Sequence, residues 1–135
     1  MSTWEDIYAA GEQLNRYPYA EVVSFVKRLV RHKPLAGATA LDIGCGSGVH
    51  AQFLAQEGAG VVAFDGSPSA IEHAQVLHGH PDIAYRVSHL ADFDARGSQF
   101  ALVLDRLSST YAPIDVLTDF YQGLKDALAP DARLL

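Results

Sequence analysis

The sequence predicts an α/β fold, in which a doubly wound parallel sheet carries helices on both faces. Three observations support this prediction. Short stretches are apolar at nearly every position, as in strands that are covered on both sides. Segments with helical spacing of apolar residues separate these stretches, which is the order that gives right-handed crossovers between parallel strands. The first stretch, Thr39–Ile43, runs directly into a turn with glycines at positions 44, 46 and 48.

The other predicted elements follow in regular alternation. Two amphipathic helices come first, and the second has Val22, Val26 and Leu29 at helical spacing. A fifth strand is expected to begin shortly before residue 135. The predicted order is helices at 4–10 and 20–30, a strand at 39–43, a helix at 49–57, a strand at 60–65, a helix at 68–77, strands at 83–87 and 102–104, and a helix at 114–128.

The carboxylate of Asp42 bears on which nucleotide binds at the glycine turn. Gly46, Gly48 and Ala51 also satisfy the dinucleotide spacing G-x-G-x-x-A, so the spacing alone leaves NAD open. An acid two residues before the first glycine would repel a pyrophosphate. The sulfonium and ammonium groups of S-adenosylmethionine would be attracted by it, so the acid favours S-adenosylmethionine.

Residues 41–48, Leu-Asp-Ile-Gly-Cys-Gly-Ser-Gly, resemble the first motif of the class I S-adenosylmethionine-dependent methyltransferases. The resemblance implies a Rossmann-like sheet and S-adenosylmethionine as the cofactor, with S-adenosylhomocysteine as the product. It also implies cofactor contacts from the motif and from the start of the next helix. These residues are Asp42, Gly44, Cys45, Gly46, Gly48 and His50.

A second acid, Asp65, follows Asp42 by 23 residues and ends the second predicted strand. A carboxylate at this place can accept hydrogen bonds from both ribose hydroxyls, in NAD as in S-adenosylmethionine. In the methyltransferase family a small polar residue and a helix follow, and Ser67 and Pro68 match that pattern. We therefore expect Asp65, Gly66 and Ser67 in the cofactor site.

Two shorter matches concern the ends of the third and fourth strands. The resemblance implies that Asp92 and Phe93 hold the adenine, with Asp94 as the alternative register for the acid. Residues 99–106 resemble the family's fourth motif, and they would bring Asp105 and Arg106 to the cofactor's edge of the sheet. Both are candidates for a catalytic role, and Asp105 is also a candidate for binding the cofactor.

One departure from the fourth motif stands at Ala101, where the family commonly has an aspartate. The departure weakens the match at the start of the strand. The apolar run 102–104 after it remains typical of a central parallel strand.

The amino-terminal segment, residues 1–37, is predicted as a helical cap or extension on an α/β domain that spans residues 38–135. The segment is rich in aromatic side chains, including Trp4, Tyr8 and Tyr19. These could pack against the sheet, or they could cover the cofactor, as helical extensions do in many class I enzymes. Arg16 is a candidate for binding the methionine carboxylate, because a guanidinium matches a carboxylate in geometry and charge.

The composition limits the classes of molecule that the chain is expected to bind. The 135 residues contain 49% hydrophobic residues and carry a formal net charge of −6, without a run of Lys or Arg. A small-molecule acceptor is therefore favoured over a nucleic acid. The absence of an apolar stretch of about 20 residues argues against a membrane span, and the single cysteine argues against a disulfide framework. The predicted location is the cytoplasm, and no metal site is predicted.

The sequence favours a small-molecule methyltransferase and leaves the acceptor atom open. A non-catalytic S-adenosylmethionine-binding or dimerisation module is the alternative, and an NAD(P)-dependent oxidoreductase is a third. Residues 128–135 resemble the segment that leads into the family's fifth strand, so the carboxyl-terminal strands are expected to be missing. Self-association through the exposed sheet edge is then expected, or a requirement for the missing strands.

Overall fold

The computed structural model describes residues 3–105 and 112–135. After two initial helices, strands and helices alternate, and the predicted α/β class is confirmed. The elements are α1 (Trp4–Ala9), α2 (Ala20–His32), β1 (Thr39–Ile43), α3 (Val49–Gln56), β2 (Gly60–Asp65), α4 (Pro68–Leu77), β3 (Ile83–Val87), β4 (Phe100–Asp105), α5 (Ile114–Lys125) and β5 (Leu128–Leu134), with a short 3₁₀ turn at Leu90–Asp92.

The five strands form one sheet in the order β3-β2-β1-β4-β5, and all neighbouring pairs are parallel. β1 lies in the middle of this sheet. Its last residue, Ile43, pairs with Phe64 of β2 on one side and with Asp105 of β4 on the other. The carboxyl ends of three strands are therefore level where the strand order reverses, which is the position at which doubly wound sheets bind their ligands.

Alternate side chains of β1 enter two cores, because successive residues of a strand point to opposite faces. Ala40 belongs to the first core, together with Val22 and Val26 of α2, which are fully buried. Leu41 and Ile43 belong to the second core, which α5 covers. α2 thus shares a core with the sheet, whereas α1 packs on α4.

The carboxyl-terminal part of the fold departs from the prediction. The sequence predicts a helix over 114–128, but α5 ends at Lys125. The Phe100 N–H donates to the Ala127 carbonyl at 2.7 Å, so pairing with β4 replaces helical hydrogen bonds there. β5 begins at Leu128 and loses its register with β4 between its two ends. Pro130, which has no N–H donor, lies in this irregular stretch.

Candidate functional site

A cavity of about 680 Å³ opens at the carboxyl ends of β1 and β2. One side of it consists of the glycine turn after β1 and the loops after β2 and β3. The opposite side consists of α1 and the segment that joins α1 to α2, and Ala112, Pro113 and Val116 complete the wall. The predicted ligand position is therefore enclosed from the sheet and from the amino-terminal segment.

The glycine turn has an unusual backbone. Gly44, Gly46 and Gly48 have φ angles of 62°, 54° and 88°, in the left-handed region that side chains disfavour. The Cys45 N–H donates to the Phe64 carbonyl at 2.9 Å, which fastens the turn to the end of β2. The sequence therefore needs glycine at these positions for the turn itself, before any ligand is considered.

The three glycines and Cys45 do not all face the cavity. Gly44, Cys45 and Gly46 line it, whereas Gly48 is outside its lining. A Cβ atom on Gly46 would lie 2.5 Å from the Tyr8 hydroxyl, and one on Gly48 would collide with the Tyr85 hydroxyl. The turn is thus closely packed on both sides. Burial raises the pKa of the Cys45 thiol, and Asp42 adds to the rise, so the thiol stays protonated.

Asp42 lies behind the turn and outside the cavity lining, with an exposed fraction of 2%. One carboxylate oxygen accepts a hydrogen bond from the Ala51 N–H in the first turn of α3, and Oδ2 has no partner among the residues that the structure describes. Burial raises the pKa of Asp42 to about 7, and the negative charge of Asp65 contributes to the rise. This acid holds the start of α3 behind the glycine turn, and its electrostatic effect on a ligand depends on pH.

Asp65 lines the cavity at the end of β2 and holds two neighbouring loops. Its Oδ2 accepts the Gly46 N–H at 2.9 Å, and its Oδ1 accepts the Ser67 N–H at 2.9 Å. Burial raises the pKa of Asp65, although these two hydrogen bonds oppose the rise. Gly66 and Ser67 also line the cavity, and Ser67 caps α4 by accepting the Ala70 N–H.

Glu5 of α1 reaches across the cavity to the start of α4. Its Oε1 accepts the Ser69 hydroxyl at 2.6 Å, and its Oε2 accepts the Ser67 hydroxyl and the Ser69 N–H. The hydrogen bond from Ser67 is the largest cause of the lowered pKa of Glu5. Glu5 belongs to none of the motifs in the sequence, and no local signal connects it with residues more than sixty positions away.

Tyr8 also holds α1 in place, through contacts with the glycine turn and with α4. Its ring is buried over the glycine turn and stacks on Trp4 with centroids 6.1 Å apart. The His73 Nε2 donates to the Tyr8 backbone carbonyl at 2.8 Å. Trp4 and Tyr8 both line the cavity. The sequence leaves open whether these aromatic residues pack against the fold or cover the site, and in the structure the same two residues pack together and line the cavity.

His50 connects the start of α3 with the segment before α2. Its Nε2 accepts the Tyr19 N–H at 3.0 Å, and the two rings lie 4.9 Å apart. His50 and Tyr19 both line the cavity, as do Gln13 and Asn15. Arg16 is exposed and outside the lining. The aromatic and amide side chains of this segment, rather than its arginine, face the site.

The loop after β3 has some of its residues in the cavity lining and the two predicted adenine contacts outside that lining. Residues 88–91 line the cavity, whereas Asp92 is exposed and Phe93 stacks on Phe64 in the second core at 4.2 Å. His89 also packs against Gly66. The end of β3 at Val87 is the signal that could have indicated these residues, because the positions directly after a parallel strand lie at the ligand edge.

The two catalytic candidates at the end of β4 are placed differently. Asp105 is half-buried, accepts the Tyr121 hydroxyl at 2.6 Å and is outside the cavity lining. Arg106 lies outside the described residues. Ala112, Pro113 and Val116 form the neighbouring wall.

The described ranges contain neither a metal-binding cluster nor a membrane-spanning helix. Within 3–105 and 112–135, no group of three His, Cys, Asp or Glu side chains is arranged to hold a metal ion. Over the same residues, none of the helices combines the length and apolar character that crossing a bilayer requires.

The family model described as "Methyltransferase domain" matches residues 40–131, which include β1, the glycine turn and Asp65. The chain belongs to this methyltransferase domain family. The match covers more than half of the chain and contains the acid and glycine motif from which the family resemblance was predicted.

Curated relatives support the same assignment. The chain is 29% identical over 138 residues to the mitochondrial ubiquinone biosynthesis O-methyltransferase of Schizosaccharomyces pombe, covering 98% of this chain and 49% of that protein. It is 42% identical over 94 residues to the ubiquinone biosynthesis O-methyltransferase of Xylella fastidiosa, covering 67% and 36%. It is 26% identical over 98 residues to the 2-heptyl-1-hydroxyquinolin-4(1H)-one methyltransferase of Mycobacteroides abscessus, covering 70% and 43%. The chain thus spans less than half the length of these relatives.

Solved structures share the fold. A complex of DhpI with SAH superposes with a TM-score of 0.73 at 22% identity, covering 97% of this chain and 63% of that one. A TehB-like SAM-dependent methyltransferase from Corynebacterium glutamicum gives 0.69 at 25% identity, covering 97% and 66%. The Rossmann-like methyltransferase fold is therefore confirmed.

Proposed function

We propose that this chain binds S-adenosylmethionine in the cavity at the ends of β1 and β2 and transfers the methyl group to a small-molecule acceptor. The observation that carries the proposal is the position of Asp65. Its carboxylate lines the cavity beside the glycine turn, in a chain whose family is methyltransferase. Both features suit a nucleoside with two adjacent hydroxyls.

The residues present fit this cofactor in chemistry as well as in position. A Cβ atom on Gly46 would collide with the Tyr8 hydroxyl, so glycine at this position lets Tyr8 lie closely over the part of the turn that lines the cavity. Glu5 and Asp65 give the cavity negative charge, which suits a sulfonium and an ammonium group. We assign the ribose to Asp65 and the adenine to residues 88–91, with Ser67 beside the ribose.

S-adenosylmethionine would supply an activated methyl group, whose bond to sulfur breaks as the bond to the acceptor atom forms. The electron pair of the broken bond stays on sulfur. The contribution of this chain is to hold the two reactants in line and to exclude water. Tyr8 and Trp4 serve the exclusion of water by covering the cavity from α1.

The acceptor is a small molecule in this proposal. The named relatives are O-methyltransferases of ubiquinone biosynthesis and a quinolinone methyltransferase, all of which act on small molecules. The cavity wall of Trp4, Tyr19, Leu90 and Val116 offers apolar and aromatic surface to such a compound. Asp105 and Arg106 remain candidates for acting on it. The cytoplasmic location and self-association through the sheet edge remain predictions of the sequence.

Calorimetry with S-adenosylhomocysteine, S-adenosylmethionine and NAD tests the cofactor. We expect both adenosyl compounds to bind and NAD to give no heat. A methyl-transfer assay with phenols, catechols and hydroxyquinolines then tests the acceptor class. Binding of NAD alone would overturn the proposal, and cofactor binding without transfer to any acceptor would favour the non-catalytic module.

A further inference from the structure

Two side chains, one buried and one half-buried, hold the glycine turn from the side opposite the cavity. His78, with an exposed fraction of 6%, places its Nδ1 2.7 Å from the Ser47 carbonyl oxygen. The Tyr85 hydroxyl donates to the His78 carbonyl at 2.8 Å and lies 3.4 Å from the Gly48 carbonyl. Neither side chain lines the cavity, so neither has a role in the cofactor contacts described above.

The direction of these hydrogen bonds is fixed by chemistry. A carbonyl oxygen can only accept, so the His78 Nδ1 must carry the hydrogen that it donates to Ser47. Burial raises the pKa of Tyr85, and its hydroxyl therefore stays protonated and can donate. The His78 contact thus holds a carbonyl of the turn towards α4, and the Tyr85 contact holds the backbone of His78 towards β3.

The placement of α4 makes this contact structurally significant. Ser67, two residues after Asp65, caps the start of the helix, and His78 follows the last helical residue, Leu77. One helix therefore joins the ribose acid to the far side of the glycine turn. Gly48 faces Tyr85 and Ala74 so closely that a Cβ atom would displace the Tyr85 hydroxyl. The turn has little room to move on this side.

We propose that His78 and Tyr85 are positioning residues for cofactor binding. His78 holds the Ser47 carbonyl away from the cavity, and Tyr85 holds His78 in place through the His78 carbonyl, so that the opposite side of the turn stays available to the cofactor. A buried carbonyl without a donor would instead favour rotation of its peptide plane. This inference rests on the proposed function, because it concerns the same cofactor.

Three variants separate positioning from general stability. His78→Leu removes the donor, whereas His78→Asn places an amide N–H close to where Nδ1 stands. Tyr85→Phe removes only the hydroxyl. Val26→Ala is the matched control. Val26 is fully buried in the first core, against which Tyr85 packs, but it belongs to α2. The measurements are the Kd for S-adenosylhomocysteine by calorimetry and the Tm of each free protein.

We expect His78→Leu and Tyr85→Phe to bind S-adenosylhomocysteine about 3- to 10-fold more weakly. This is the change in affinity that corresponds to the loss of one hydrogen bond. His78→Asn should bind within about twofold of the wild type. Val26→Ala should lower the Tm and leave the Kd unchanged. If His78→Asn and His78→Leu weaken binding of S-adenosylhomocysteine equally, the inference is overturned. It is also overturned if Val26→Ala weakens binding as much as a His78 or Tyr85 variant of equal Tm, because loss of stability alone would then explain the effect.

The outcomes also distinguish this inference from the function on which it rests. A wild-type chain that fails to bind S-adenosylhomocysteine overturns the proposed function and this inference with it. A wild type that binds, together with unchanged affinity in His78→Leu and Tyr85→Phe, overturns the inference alone. If His78→Leu does not fold, the comparison of Tyr85→Phe with Val26→Ala decides in the same way.

Discussion

The two sides of the cavity are built by different kinds of contact. On the sheet side, the glycine turn and Asp65 are positioned by adjacent parallel strands and by backbone hydrogen bonds. On the amino-terminal side, α1 is held by side-chain contacts from Glu5 and by the His73 contact with the Tyr8 carbonyl. Changes on the first side should therefore affect binding severely, and changes on the second should affect it moderately.

The largest effect is expected for Gly46→Val. The φ angle of 54° is strained for a β-branched residue, and the new side chain would meet the Tyr8 hydroxyl. We expect at least about a 100-fold loss of affinity for S-adenosylhomocysteine, from strain of roughly 1–3 kcal/mol together with the collision. Gly123→Ala in α5 is the control, because a Cβ atom there meets nothing within 4 Å. Calorimetry showing wild-type affinity in Gly46→Val would exclude close approach of a cofactor to the turn.

Asp65→Ala comes next. Loss of a charge-assisted hydrogen bond to the ribose should cost about 1.5 to 3 kcal/mol of cofactor affinity, or about 10- to 150-fold. The Gly46 N–H also loses its acceptor, so the turn itself is less well fixed. Asp94→Ala, which removes an exposed acid paired with Arg96, is the control for loss of charge. Equal calorimetric affinities for the wild type and a folded Asp65→Ala would remove Asp65 from the site.

Asp42 allows a test of the sheet side without any ligand. Its pKa of about 7 lies above the ordinary value of 3.8 for an aspartate, so the folded chain keeps a proton that the unfolded chain releases. Its contribution to stability is complete below about pH 4 and is lost as the pH rises through 7. Relative to Asp42→Asn, the wild type should lose on the order of 2 kcal/mol of unfolding free energy between pH 4 and 7. Urea titrations measure this difference, and parallel pH profiles would contradict it.

The same contrast explains what the sequence could predict. The strand ends, the left-handed glycines and Asp65 follow from local pattern, and the structure has them at one edge of the sheet. Glu5 was missed because its partners are distant in sequence. Phe93 stacks on Phe64 in the second core, a contact that the local sequence does not reveal, and its role at the adenine stays a prediction.

On the amino-terminal side, Glu5→Ala should have a moderate effect. The substitution removes the acceptor for the Ser67 and Ser69 hydroxyls and so loosens α1 from α4. We expect S-adenosylhomocysteine to bind about 3- to 10-fold more weakly, chiefly through faster dissociation. Glu12→Ala is the control, because Glu12 is exposed and outside the cavity lining. Stopped-flow dissociation rates measure the effect. A loss as large as that of Asp65→Ala would mean that the two sides do not differ.

The smallest effect is expected for Arg16→Ala. The family resemblance suggests a contact between this guanidinium and the methionine carboxylate, but Arg16 is exposed and its neighbours Asn15 and Tyr19 line the cavity instead. Removing an exposed cation that touches no ligand should change the Kd for S-adenosylhomocysteine by less than about twofold at physiological salt. Calorimetry at low and at physiological salt separates a long-range charge effect, which salt screens, from a direct contact. A tenfold loss that persists at physiological salt would place Arg16 on the carboxylate and extend the binding contacts of the amino-terminal side to a residue outside the cavity lining.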